Sequence, residues 1–143
     1  MSDDIRVAFV CVQNAGRSQM STAFAERERA ERGLEDEVEI LTGGTHPADE
    51  VHDEVIEIMA EDGFDLSDRE PREIGTAELN ACDYVATMGC STLELDAEGP
   101  DVRDWALADP DGQDPEEVRA IRDEIEGRVS DLFDEVEGVF ADA

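Results

Sequence analysis

Between Ile5 and Val12 the chain reads "IRVAFVCV", an almost unbroken apolar and β-branched run that predicts a strand buried on both faces. Two similar runs follow: "EVEILTGG", ending on Gly43 and Gly44, and "DYVATMGC", ending on Cys90. A shorter one opens the segment "DVRDWALADPDGQDP", Asp101 to Pro115. Between these runs the pattern becomes helical. In "SQMSTAFAERERAERG", Met20, Ala23 and Phe24 fall on one side and Gly33 supplies the stop. In "DEVHDEVIEIMAEDG", Val51, Val55, Ile58 and Met59 repeat the spacing and Gly63 closes it. From Pro115 to Phe140 the chain reads as one long helix, with the proline suited to its first turn. Strands alternating with helices predict an α/β fold, a four-stranded parallel sheet sandwiched by helices, within one domain over residues 1–143.

Charge changes this picture. The 143 residues hold 40 acidic side chains against 11 basic ones, a net charge of −29, and every basic residue is arginine. A hydrophobic content of 40% excludes wholesale disorder. The acids run from Asp3 to Asp142, whereas a chain built to bind a cationic partner would gather them in one tail or patch. Such a surface repels itself in dilute salt, and about 1 M salt shortens the screening length to roughly 3 Å. The composition therefore points to a halophilic protein of a salt-rich cytoplasm. No basic stripe suggests nucleic acid. The opening "MSDDIRVAFV" has no basic n-region or long apolar h-region, and no run is long enough to span a membrane, so neither export nor membrane is expected. No metal-ligand spacing appears, and no bound cofactor is expected. His52 and Tyr84 read as ordinary helix and strand residues. Three cysteines, an odd number, argue against a disulfide framework and leave catalysis, redox exchange or inert burial.

Ligands of open parallel sheets bind beyond the carboxyl ends of the strands. The loop from Cys11 to Ser18, "CVQNAGRS", lies at such an end. A loop between strand and helix can turn successive amides inward as a nest for a tetrahedral anion at the positive end of the helix. Val12, Gln13, Asn14, Ala15 and Gly16 would form that nest, and Gly16 gives the backbone its freedom. Arg17 adds a planar fork for two anion oxygens. The same field would draw the proton from Cys11 well below the free thiol pKa of about 8.5, leaving a thiolate aimed at the central atom of the anion. Ser18 can steady that thiolate through its hydroxyl. The other cysteines divide by position. Cys82 precedes the third strand and Cys90 follows it, separated by roughly 20 Å of extended chain. Cys90 thus shares the Cys11 edge of the sheet, while Cys82 reads as a buried small hydrophobe.

At these residues a family resemblance enters. "CVQNAGRSQM" resembles the Cys-x5-Arg-Ser signature loop of the low-molecular-weight protein tyrosine phosphatase superfamily, and is most similar to its arsenate reductase branch. "GGTHPADEVHDEVIEIMAEDGFDLS" resembles the second strand and helix of that family, "DYVATMGC" the third strand, and "DWALADPDG" the loop bearing the general acid, so the likeness covers nearly the whole chain. It implies the low-molecular-weight phosphatase fold. It also implies a nucleophile at Cys11, an oxyanion clamp at Asn14 and Arg17, an orienting hydroxyl at Ser18 and an acid at Asp109. Asp109 follows the fourth strand, at the Cys11 edge, and Pro110 restricts it to an extended conformation, whence it could protonate a leaving oxygen. Asp111 is the alternative acid.

Two activities share that first step. A phosphatase would hydrolyse a cysteinyl-phosphate intermediate with water. An arsenate reductase would let a second thiol attack Cys11 in its arsenic adduct, releasing arsenite and leaving a disulfide. Cys90 stands where family reductases carry their first resolving cysteine, after a similar "VATMG" strand. The segment "PDGQD" after Asp109 lacks the tyrosines that phosphatases commonly carry there, and His46 stands where they often place an aromatic wall. Trp105, four residues before Asp109 as in the reductases, reads as packing beneath the loop. Gln13 departs from the glycine of the phosphatases. "CSTLELDAEG" departs from the thioredoxin-coupled reductases, which carry a further cysteine there for a relay, so the expectation is a Cys11–Cys90 disulfide reduced directly from outside, by a low-molecular-weight thiol or a thioredoxin- or glutaredoxin-like protein. The substrate expected is arsenate, or a phosphate-type oxyanion if the chain is a phosphatase; an oxyanion-binding module without turnover is disfavoured by the intact nucleophile, arginine and acid.

The charge makes its own test. Dilution from about 2 M to about 0.1 M salt should lower the melting temperature by on the order of 10 °C, the equivalent of a few kcal/mol. A melting temperature indifferent to salt in a calorimetric scan would remove the halophilic reading.

Overall fold

A computed structural model describes residues 5–11, 16–44, 47–88, 101–105 and 114–141. Four strands, β1 (Ile5–Cys11), β2 (Val38–Gly44), β3 (Tyr84–Met88) and β4 (Asp101–Asp104), form one sheet in the order β2-β1-β3-β4, with every pairing parallel. The helices are α1 (Arg17–Glu31), α2 (Asp53–Glu61), α3 (Thr76–Asn80) and α4 (Pro115–Ala141). The four-stranded parallel sheet expected from the alternation of apolar runs is therefore present. Its order places β1 at the point where the winding reverses, with β2 on one side and β3 on the other. The carboxyl end of such a strand opens onto a crevice between two diverging connections.

Alternation along β1 explains how both faces are covered. Val7, Phe9 and Cys11 belong to the larger apolar cluster, with Met20 and Phe24 of α1, Val55 and Met59 of α2, and Ile125, Val129 and Phe133 of α4. Ala8 and Val10 turn the other way, onto Ile74, Leu79, Cys82 and Val85. The two layers are thus unequal: the long helices share one cluster, and one short helix with its flanking chain serves the other. Fully burying a side chain such as Phe9 or Phe133 contributes about 2–3 kcal/mol each.

Both glycine stops end their helices in the left-handed region, Gly33 at φ 68° and Gly63 at φ 87°. In each case the next amide reaches back five residues, Leu34 N–H to Arg29 C=O at 2.9 Å and Phe64 N–H to Met59 C=O at 3.0 Å, which closes the helix in a Schellman turn. Phe64 then meets Phe24 edge-on at 5.2 Å, tying the end of α2 to α1. Two features depart from the sequence expectation. The second helix begins at Asp53, not Asp49, because His52 is extended at φ −64° and ψ 136°. Val51 is buried at helical spacing from Val55 without being helical. The single turn α3, too short to show periodicity, was not expected.

Where β2 ends, the chain leading to α3 joins it. Gly44 N–H donates to Arg72 C=O at 2.8 Å and Ile74 N–H to Gly44 C=O at 3.3 Å. This close return requires a glycine at Gly43, since a methyl group there would sit 2.6 Å from Ile74 Cγ2 and 3.1 Å from Ile74 N. Gly43→Ala should destabilise the fold by about 1–3 kcal/mol, the usual cost of overpacking. Unchanged stability in urea unfolding would mean that the 72–74 segment is free to move away.

Candidate functional site

Cys11 is the last residue of β1, opposite Gly44 of β2 and Met88 of β3. It is a buried thiol, only 2% exposed. Gly16, at φ −142° and ψ −94°, precedes α1 and caps it without a side chain, and its carbonyl accepts the first helical bond from Met20 N–H at 3.0 Å. Arg17 opens the helix, partly exposed, and Ser18 is wholly buried. The Cys11 Sγ and Ser18 Oγ atoms lie 2.8 Å apart, a hydrogen bond between the end of the strand and the start of the helix. With a thiolate at Cys11, the hydroxyl must be the donor.

The first two turns of α1 are buried all round, from Ser18 through Ala25. Sequence spacing marked Met20, Ala23 and Phe24 as the inward side, and missed that Gln19, Ser21 and Thr22 are inside as well. Small hydroxyl side chains tolerate this position because they bond back to the preceding turn. Ser21 Oγ donates to Arg17 C=O at 2.9 Å and Thr22 Oγ1 to Ser18 C=O at 2.7 Å. The signal was present as a run of small and polar residues directly after the signature loop, where an ordinary amphipathic helix would show a charged face.

Trp105 leaves β4 into the interior, its amide bonded to Thr87 C=O at 2.8 Å and its ring 5.9 Å from Phe9. A groove of about 130 Å³ beside it, between β4 and α4, is lined by Arg103, Arg128 and Glu135 among others. Both guanidiniums there already hold carboxylates, Arg103 those of Asp101 and Glu135, and Arg128 that of Glu124, so the groove is poorly suited to an anion. Val12, Gln13, Asn14, Ala15, His46, Cys90, Asp109 and Asp111 lie outside the described residues. The structure thus brings together Cys11, Gly16, Arg17 and Ser18 of the expected site.

Cys82 stands at the opposite end of β3, 5% exposed, with its thiol donating to Glu78 C=O at 3.4 Å. Burial, opposed by Arg6 and aided by the carboxylates of Asp83, Glu39 and Glu78, pushes this thiol up to about 11. It is the passive apolar residue expected of it, held neutral where an exposed thiol would ionise. Among the described residues, no helix is long and apolar enough to cross a membrane.

The family model of the low molecular weight phosphotyrosine protein phosphatases matches residues 6–139. A Halobacterium salinarum protein named "Putative arsenate reductase" is 76% identical over 130 residues, 91% of this chain and 92% of its own. A Synechocystis protein named "Glutaredoxin arsenate reductase" is 32% identical over 139 residues, 90% of this chain and 95% of its own. Among solved structures, the thioredoxin-dependent arsenate reductase of Corynebacterium glutamicum superposes with a TM-score of 0.78 at 33% identity. That match covers 96% of this chain, which spans only 64% of the Corynebacterium chain.

Cys82 provides a pH test. The unfolded chain would ionise this thiol near 8.5, the folded one only near 11, so the unfolded state binds fewer protons between those values and stability falls as pH rises through them. Native protein at pH 7.5 should alkylate at Cys82 on the order of 100-fold more slowly than urea-unfolded protein. Equal rates by peptide mass mapping would mean that the thiol is neither buried nor perturbed.

Proposed function

Because the chain belongs to the low molecular weight phosphotyrosine protein phosphatase family, we propose that it works as the arsenate reductase variant of that chemistry. Cys11 is the nucleophile and the loop 12–16 is its anion nest. Arg17 with Asn14 clamps the oxyanion, Ser18 orients the sulfur, Asp109 is the acid and Cys90 is the resolving thiol. The observation that carries the first step is the 2.8 Å contact of Cys11 Sγ with Ser18 Oγ at the head of α1, where the helix dipole favours both a thiolate and an anion. The Cys11 thiolate forms a bond to arsenic, and the departing oxygen takes a proton from Asp109 and leaves as water.

The second step divides reductase from phosphatase. Cys90, as thiolate, attacks Cys11 Sγ; the sulfur–arsenic electron pair stays on arsenic, arsenite departs, and the two thiols become a disulfide. The pairing of Met88 with Cys11 supports this reading, since two residues of chain from Met88 to Cys90 reach at most about 7 Å. So does the 76% identity with the Halobacterium salinarum relative. An external thiol or a redoxin would return the disulfide to two thiols; the names of the Synechocystis and Corynebacterium proteins favour a redoxin. The setting is a cytoplasm rich in salt, as the charge of −29 suggests. The second reading, a phosphatase in which water replaces Cys90, is favoured by the description of the family itself.

Reduced protein in 2 M salt, given arsenate and then denatured for thiol titration, should fall from three thiols to one per chain. Cys90→Ser should abolish that loss, Cys11→Ser should silence all activity, and Asp109→Asn should slow turnover by roughly 10²–10⁴. Persistent thiols, with p-nitrophenyl phosphate hydrolysed and Cys90→Ser harmless, would establish the phosphatase instead.

A further inference from the structure

Ser21 makes a second contact that neither the signature loop nor the mechanism uses. Besides Arg17 C=O at 2.9 Å, its hydroxyl has Met88 Sδ at 3.4 Å. A serine hydroxyl carries one proton, so the two acceptors share it. Both side chains are completely buried. Met88 lies beside Cys11 in register, on the neighbouring strand. The first two turns of α1 therefore grip the sheet at two sulfur atoms. Ser18 holds the thiol that ends β1, and Ser21, three residues on and so on the same side of the helix, holds the thioether that ends β3.

The two grips serve different ends. The Ser18 contact acts on the nucleophile directly. The Ser21 contact leaves Cys11 alone and joins the backbone of Arg17 to β3, through one hydroxyl that touches both. We propose that Ser21, through Met88, is a positioning residue for the anion clamp: it fixes where the first turn of α1, and hence Arg17, stands relative to the sheet edge on which Cys11 sits. This inference rests on the assignment of Arg17 to the oxyanion, but not on arsenate being reduced. A thioether is a weak acceptor in a hydrophobic setting, so the pair costs little to bury and still has a defined direction. Leucine in place of Met88 would keep the volume and lose the acceptor.

Two probes separate the grips, inorganic phosphate for the clamp and iodoacetamide, a neutral reagent, for the Cys11 sulfur. Ser21→Ala should weaken phosphate binding by roughly two- to tenfold, the range of one neutral hydrogen bond, while the alkylation rate of Cys11 and its pH profile stay within about twofold. Met88→Leu should reproduce the loss, the double variant should add nothing to it, and Ser21→Thr should restore it. Thermal melts guard against a variant that merely unfolds, and Met88→Leu stands in if Ser21→Ala does not fold. Unchanged phosphate affinity, equal loss in both probes, or additive effects in the double variant would overturn the inference. So would wild-type protein that binds no phosphate, which removes the clamp with it. Phosphate bound normally with arsenate left unreduced would sink only the reductase reading.

Discussion

The parallel pairing of β1 with β2 on one side and β3 on the other places a sulfur atom where a helix can reach it. Cys11 ends the central strand in register with Gly44 and Met88, and α1 starts at Arg17, a short way further along the chain. Slip the register of β1 by one residue and Cys11 would face the Ile74 and Leu79 cluster, away from Ser18, because side chains alternate along a strand. The 2.8 Å contact between Cys11 and Ser18 is thus a consequence of sheet order as much as of the loop. The core beneath enforces the register: Val7 and Phe9, on the same face as Cys11, are completely buried against the helices, and a slip would put Ala8 and Val10 in their place and turn Arg6 inward.

The arginines hold that core together from outside. At least nine of the eleven pair with carboxylates, and several span elements rather than turns. Arg32 joins the end of α1 to Asp134 and Glu137 of α4, Arg122 joins α4 to Glu61 and Asp62 at the end of α2, and Arg103 joins β4 to Glu135. Bonds from Arg119 and Arg122 hold the Glu61 carboxyl down to about 2, so these pairs stay ionised at any physiological pH. Exposed pairs of this kind contribute little individually. In a chain with forty carboxylates their main effect is to remove repulsion at the places where helices meet, leaving the unpaired acids to be screened by salt. Arginine suits this better than lysine, since its fork can hold two carboxylates at once, as Arg32 and Arg103 do.

The strands and the long helices were legible because their causes are local. A buried parallel strand must be apolar on both faces, and Gly33 and Gly63 mark helix ends wherever a left-handed residue is needed. The candidate site was legible through one spacing, Cys11 to Arg17 and Ser18 across a glycine, whose chemistry does not depend on the rest of the chain. What sequence hid was non-local. Val51 and Val55 have helical spacing, yet only Val55 is helical, because burial of Val51 is satisfied by an extended approach. Gly43 looked like a strand end and is in fact the space into which Ile74 fits. Periodicity does not mark the burial of Ser21 and Thr22, since a hydroxyl bonded to its own helix carries no periodic signature, and only the lack of a charged face in that run points to it.

Reductase and phosphatase differ less in their sites than in what the sheet delivers beside them. Both need a sulfur at the end of the central strand, a helix start and an arginine, and β1 with α1 supplies these without reference to the other strands. The second thiol has to come from elsewhere, and the neighbour of the central strand on the far side of the switch point is the nearest source. Because β3 runs parallel to β1 and Met88, its last residue, pairs with Cys11, the end of β3 lies one strand spacing from that sulfur-bearing residue. Because Cys82 lies before the same strand, at its other end, it is excluded by the same geometry and can remain a neutral core residue. A single parallel strand thereby gives its two ends different surroundings, one level with Cys11 and the other, next to Cys82, inside the smaller apolar cluster.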